Sequence, residues 1–213
     1  MMRPPRFLAR QLARPSGLVG RYVMGRFLNR TTADHNAMVL EDLAVEATSR
    51  VLEVGFGGAA LLENLCEKAS GGFVSGLEVS KEMLASVRAR LPSLIESGRL
   101  EVREGSVESL PYPDREFDRG CSVNTTYFWP DLARGLAEFH RVIRPGGRLA
   151  LGFMAAEGIS RAGLDRHGFS RHTPDELKSA LVAAGFRPGS LRSGTDSRGI
   201  FYSLVAERGP ASG

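Results

Sequence analysis

The chain has 213 residues, 42% hydrophobic and 24% charged, with a net charge of +4. Its length suits one globular domain plus an appendage, and its composition excludes a disordered, collagen-like or disulfide-framework protein. The charge is uneven. Residues 1–33 hold seven arginines (Arg3, Arg6, Arg10, Arg14, Arg21, Arg26, Arg30) and no acid, which leaves 21 basic and 24 acidic residues, net −3, in the other 180. The basic character belongs to the N-terminal arm, so the body gives no reason to expect a nucleic-acid partner.

The arm, residues 1–47, breaks at Pro15 and Gly17 into amphipathic helical pieces. Phe7, Leu8, Gln11 and Leu12 share one helical face, and a later helix from about Thr32 to Ala47 opens on a Thr/Asp cap signal. Three readings of the arm stay open. An Arg-rich, acid-free start suits a transit peptide, a peripheral contact with an anionic membrane surface, or a helical lid over an active site. In a lid, Tyr22 either touches substrate or packs against the body, and His35 is a second substrate candidate.

From Arg50 the pattern alternates. "RVLEVGF" is a strand ended by glycines, and "ALLENLCEKA" has helical periodicity. "GFVSGLEV" is a second strand, and "SKEMLASVRARLPSLI" a second helix with Ser80 as N-cap and Pro92 near its end. "RLEVREG" and "FDRGCSV" are further strands. "DLARGLAEFHRVI" is a helix stopped by Arg144-Pro145-Gly146-Gly147, and "RLALGFM" is a fifth strand. A Gly- and Arg-rich stretch precedes "TPDELKSALVAAGF", a helix with a capping-box signature at Thr173 and Glu176. Two strand-like runs follow without an intervening helix, so they should pair antiparallel at an edge. The alternation implies right-handed crossovers and an α/β fold with a mostly parallel sheet. The domain is expected over residues 48–208, with 209–213 a tail.

The two cysteines, Cys66 and Cys121, have no His or Cys at metal-ligand spacing, so no metal is expected and a reducing cytoplasm suits them. The sharpest feature is Glu53-Val54-Gly55-Phe56-Gly57-Gly58-Ala59, directly after the first strand. Glycines there let the backbone approach a ligand. Glu78, which ends the next strand, can accept both hydroxyls of a ribose. Gly55, Gly57 and Ala60 also satisfy a dinucleotide pattern, so a nicotinamide-dependent oxidoreductase is one reading. An acid two residues before the first glycine is awkward beside a pyrophosphate, however. It suits a ligand with an amino group and a sulfonium, and so favours S-adenosylmethionine.

With these residues in place the sequence resembles the class I S-adenosylmethionine-dependent methyltransferases, in particular the small-molecule branch related to ubiquinone/menaquinone C-methyltransferases. "VLEVGFG", "VSGLEVSKEML", "REGSVESLPYPDREFDRGCSV" and "FHRVIRPGGRLAL" carry the resemblance, in that order. It implies a Rossmann-like, seven-stranded sheet with the last strand inserted antiparallel beside the fifth. It implies Glu53 near the methionine end, Gly55 and Gly57 admitting the cofactor, and Glu78 on the ribose. Val79, Met83, Ser106 and Val107 would border the adenine, and Asn124 the methionine portion. Two positions depart from the family pattern: Ala59 stands where a third glycine is usual, and Ser106 where an Asp is common.

Asn124-Thr125-Thr126-Tyr127-Phe128-Trp129 follows the fourth strand, where ligands bind in open α/β sheets. Its Asn-x-x-Tyr spacing resembles the motif of amino-group methyltransferases, but both prolines of that motif are absent. Tyr127 and Trp129 either line an aromatic substrate pocket or pack beneath the lid. His140 reads as structural. His167 and His172, in the stretch after the fifth strand, are general-base candidates or solvated loop residues. Tyr127 is a further catalytic candidate. Arg161, Arg166 and Arg171 either solvate that loop or hold a substrate carboxylate or phosphate. The expected activity is methyl transfer to a small, apolar or aromatic acceptor by in-line displacement. A scaffold that keeps the fold without catalysis is the remaining alternative.

Overall fold

Every strand of the alternating pattern finds its partner in one seven-stranded sheet, ordered β3-β2-β1-β4-β5-β7-β6. The computed structural model describes residues 32–161, 170–196 and 198–210. Its strands are β1 (Arg50–Val54), β2 (Phe73–Glu78), β3 (Leu100–Glu104), β4 (Phe117–Val123), β5 (Ile143–Met154), β6 (Phe186–Asp196) and β7 (Gly199–Arg208). The first five pair in parallel. β7 runs antiparallel between β5 and β6, so the C-terminal hairpin sits at the sheet edge with β7 beside the fifth strand, as expected.

The helices are α1 (Ala33–Leu43), α2 (Ala60–Lys68), α3 (Lys81–Arg90), α4 (Pro92–Glu96), α5 (Leu132–Val142), α6 (Ala156–Arg161) and α7 (Pro174–Ala183). Strand residues alternate between two apolar layers, as a period of two requires. On one face Leu52, Phe117, Leu149 and Leu151 meet Leu136 and Phe139 of α5 and Leu177 and Leu181 of α7. On the other, Val51, Val74, Cys121 and Ala150 meet α1, α2 and α3 through Val39, Leu43, Leu62, Leu65 and Leu84. Both cysteines are buried and unpaired. Among the described residues no helix is long and apolar enough to cross a membrane.

Three boundaries differ from the sequence pattern. The second helix is two helices. Pro92 has no N–H to continue the ladder and disfavours helical backbone at Leu91, which sits at φ −120°; Pro92 then opens α4 at its first turn. The helix expected over 32–47 ends at Leu43, because Ala44 is left-handed. Thr32 precedes that helix without a side-chain cap bond. β5 begins at Ile143, and its register against β4 slips between Phe117 and Arg119. Ser80 does cap α3, accepting from Met83 N, and the Thr173/Glu176 capping box on α7 is complete.

Helix α1 is part of the packed body. Val39 and Leu43 are fully buried, and so is His35, whose Nε2–H donates to Tyr202 O at 2.9 Å. His35 also stacks on Phe201. Burial holds its pKa down to about 4, so the ring is neutral near pH 7.

Candidate cofactor and substrate site

The chain passes from β1 outward through β2 and β3, then returns to place β4 on the other side of β1. That reversal opens a crevice at the strands' C-terminal ends, the site where open α/β sheets bind ligands. A cavity of about 250 Å3 lies there. Its walls come from the end of β1 and the turn after it (Glu53–Gly57), Ala60 at the start of α2, the end of β2 and the residue after it (Leu77–Val79), the turn after β3 (Gly105–Val107), the end of β4 and the segment after it, and Thr32 and Asn36 of the α1 region.

Left-handed backbone builds the first turn. Gly55 sits at φ +78° and Gly57 at +46°. A Cβ on Gly55 would lie 2.4 Å from Thr125 Cγ2, so any side chain there would be strained and would also collide. Ala59, at the position of the usual third glycine, also adopts φ +62°. The turn therefore keeps its shape with alanine, at the steric cost an L-residue carries in that region.

Glu78 is 6% exposed, and three backbone N–H groups hold it. Oε2 accepts from Gly57 at 3.0 Å, and Oε1 from Val79 at 2.9 Å and Ser80 at 3.0 Å. A carboxylate has about four lone-pair sites, and these three bonds fix its plane at the cavity edge. Glu53 differs. It is 3% exposed, and its Oε2 is buried without a hydrogen-bond partner. Burial first, and the neighbouring Glu78 charge second, push its pKa up to about 8. Such a carboxyl is poised to meet a cation.

Asn124 also lines the cavity, in left-handed backbone at φ +57°. Tyr127 Oη donates to its Oδ1 at 3.2 Å, which orients the amide and leaves Nδ2 buried and without a partner. The Tyr127 hydroxyl in turn accepts the N–H of Met154. Tyr127 is 4% exposed and absent from the cavity wall, and burial holds its pKa above the ordinary phenol value. Expected as a substrate or catalytic group, it stands behind the site and orients Asn124.

The other expected residues divide. Val79, Ser106, Val107 and Trp129 line the cavity. Met83 does not: it is 1% exposed and packs in the core beneath α3. Ser106 Oγ accepts from Glu108 N at 3.3 Å. Arg171 donates to Ser160 Oγ, away from the cavity wall. His172 is likewise absent from that wall, and His140 packs edge-on against Phe186. Tyr22, His167 and Arg166 lie outside the described residues, as does most of the basic arm. Among the described residues no cluster of metal-binding side chains occurs. Sequence reasoning did not single out Thr32, Asn36, Thr125 or Phe128 for this wall. Thr32 and Asn36 reach it only through tertiary docking of α1, which no local spacing reports.

The residues present fit S-adenosylmethionine. A buried carboxyl without a partner suits an ammonium or sulfonium, a fixed carboxylate on the same cavity suits hydroxyl donors, and a glycine turn lets a ligand approach closely. The comparisons with known proteins agree. Residues 52–151 match the family described as a methyltransferase domain. A demethylmenaquinone methyltransferase of Chlorobaculum tepidum is 35% identical over 107 residues, covering 50% of this chain and 41% of that protein. The uncharacterized methyltransferase YdaC of Bacillus subtilis is 27% identical over 116 residues, 54% of this chain and 62% of that protein. The chain thus spans less than two thirds of these curated relatives. A methyltransferase solved in complex with the Trm112 methyltransferase activator of Haloferax volcanii has the same fold, with a TM-score of 0.76 at 21% identity over 87% of this chain and 93% of that one. Sheet order, turn and family match together define the class: residues 52–151 are the core of a class I S-adenosylmethionine-dependent methyltransferase domain, similar to the quinone methyltransferases.

Proposed function

We propose that this protein transfers a methyl group from S-adenosylmethionine to a small acceptor, apolar or aromatic in character. The observation that carries the reading is the pair of buried acids at the tips of adjacent strands, Glu53 and Glu78, on one cavity with the Gly55–Gly57 turn between them. When bound, the cofactor supplies an electrophilic methyl on sulfur, so no protein nucleophile is required.

The chain's own residues then bind, orient and exclude water. Glu53 holds the ammonium end, Glu78 the ribose, and Ser106 and Val107 the base. The Asn124 amide, set by Tyr127, donates to the methionine carboxylate. Thr32, Asn36 and Phe128 form the wall left for an acceptor, and alignment of the acceptor atom with the methyl supplies most of the rate. The buried Glu53 carboxyl disfavours the dinucleotide alternative, because it gains its charge only beside a cation and a pyrophosphate brings none.

Calorimetry and thermal shift with S-adenosylhomocysteine and NADH test the reading. Binding and stabilisation are expected with the former. Stabilisation by NADH alone would replace the methyltransferase assignment with an oxidoreductase one. Binding without turnover over a panel of phenols, quinols, amines and thiols would favour a scaffold.

A further inference from the structure

The two edges of the sheet are built differently. β6 forms one of them. It carries Pro188, its ladder slips between Pro188 and Leu191, and Arg192 is tied to Glu41 and Asp42 of α1. Proline and a slipped register are common guards against strand addition. β3 forms the other edge and pairs with β2 over its whole length without a slip. Among the described residues no strand pairs with its outer side.

The hydrogen bonds show which groups face outward. Val74 N donates to Arg99 O, and Gly105 N to Glu78 O. Alternate residues of a parallel strand bond the same neighbour. Glu101 and Arg103 therefore turn their backbone groups to β2, and Leu100, Val102 and Glu104 turn theirs outward. The Val102 carbonyl accepts from the Arg88 guanidinium at 3.1 Å, as a group with no strand beyond it. Glu101 and Arg103, two residues apart, share a face and form an ion pair at 2.7 Å. No helix covers them, because β3 connects to β4 through residues 105–116 without one. A groove of about 680 Å3 follows this edge, with Phe73, Ile95, Leu100 and Tyr112 among its apolar walls.

We propose that β3 docks on β3 of a second copy of this chain, antiparallel about a two-fold axis at Val102, joining two sheets into one. In that register Val102 exchanges both backbone bonds with the second copy's Val102, and Leu100 does so with the second copy's Glu104. Glu101 then lies opposite the second copy's Arg103, and Arg103 opposite its Glu101. These are two opposite-charge pairs at the closer, non-hydrogen-bonded spacing. The adjacent registers that still bring outward groups together set Glu101 against Glu101 or Arg103 against Arg103, which is unfavourable. Charge thus selects one register. Arg88 leaves the Val102 carbonyl as the strand arrives. A contact of this symmetry closes at two copies. Strands of five residues make a small interface of the transient class, so pairing depends on concentration. No residue of β3 lines the methyl-donor cavity, and the dimer stands apart from that reading.

Sedimentation velocity over a rising concentration series tests the proposal on the full chain. Wild type should pass from monomer to dimer. Glu101→Arg should keep the circular dichroism spectrum and weaken dimerisation about tenfold. Combining it with Arg103→Glu in one chain should restore association, because reversed charges still complement each other. Mixing the two single variants should also give dimers, now between unlike chains. In wild type, hydrogen exchange across residues 99–105 should slow as the dimer forms. A wild-type chain that stays monomeric at every concentration would overturn the proposal and mark Arg88 and the Glu101–Arg103 pair as guards of the edge. A dimer indifferent to Glu101→Arg, or one whose residues 99–105 exchange at the monomer's rate, would overturn it as well. So would folded variants that associate neither in the double form nor when mixed. If the double variant proves unfolded, the mixing experiment and the wild-type exchange decide.

Discussion

Glu53 is the residue on which burial and charge act most strongly. Its pKa of about 8 lies above the ordinary carboxyl value of 4.5, so the folded state holds a proton that the unfolded chain has already released at neutral pH. The sign follows from linkage: stability is full below about pH 4.5 and falls as pH rises to about 8. Glu53→Gln should therefore gain melting temperature relative to wild type as pH goes from 5 to 9, and parallel curves would mean the carboxyl is not held protonated. The same proton gives a binding signature. If an ammonium docks on Glu53, S-adenosylhomocysteine should expel close to one proton near pH 7, read by calorimetry in buffers of different ionisation enthalpy. Glu78 should behave oppositely in one respect. Three backbone N–H donors already fix it, so Glu78→Ala should weaken cofactor binding by about 1–3 kcal/mol and also loosen the Gly57 turn.

At the scale of elements, the turn after β1 shows what sequence spacing conveys. Gly55 and Gly57 were legible because only glycine is at ease with φ of +78° and +46°. Their partner Thr125 was not, since its contact with Gly55 joins residues seventy apart in the chain. Gly55→Ala meets both left-handed strain and a contact at 2.4 Å. We expect it to lower stability by about 2 kcal/mol or more and to abolish cofactor binding, checked by urea unfolding and calorimetry. Strand and helix identities were readable from periodicity, and Ser80 and Thr173 from cap chemistry. The division of the second helix was also written in the sequence, at Pro92. Met83 shows the converse. Its place after Glu78 suggested a ligand contact, but Ser80 starts α3 so that Met83 points into the core. Helix phase, which spacing alone leaves open, decided its role.

For the molecule as a whole, the largest difference between pattern and structure lies in how far the N-terminal segment belongs to the body. Composition set residues 1–47 apart as a basic arm, because arginines cluster there and acids begin at Asp34. Docking cuts across that division. α1 buries His35, Val39 and Leu43 on the sheet, Arg148 donates to Asp42 O, and Arg192 bridges Glu41 and Asp42. Two truncations should therefore behave differently. Removing residues 1–30 leaves all of these contacts; if the arm is a lid, turnover falls more than S-adenosylhomocysteine affinity, read by steady-state kinetics beside calorimetry. Removing residues 1–44 strips Val39 and Leu43 from the core, and each fully buried side chain of that size contributes about 1.5–3 kcal/mol. The loss of about 3–6 kcal/mol is a large share of a typical domain's stability. It also removes Thr32 and Asn36 from the cavity wall. The longer truncation should thus be largely unfolded or aggregated by circular dichroism, and a folded, cofactor-binding 45–213 protein would show that α1 is dispensable. His35 adds a pH handle to the same contact. Its folded pKa of about 4 lies below the ordinary 6.5, so the stability it contributes is full above about pH 6.5 and is lost as pH falls towards 4. His35→Gln should flatten the acid limb of the melting curve in full-length protein, and an unchanged limb would place the acid sensitivity elsewhere.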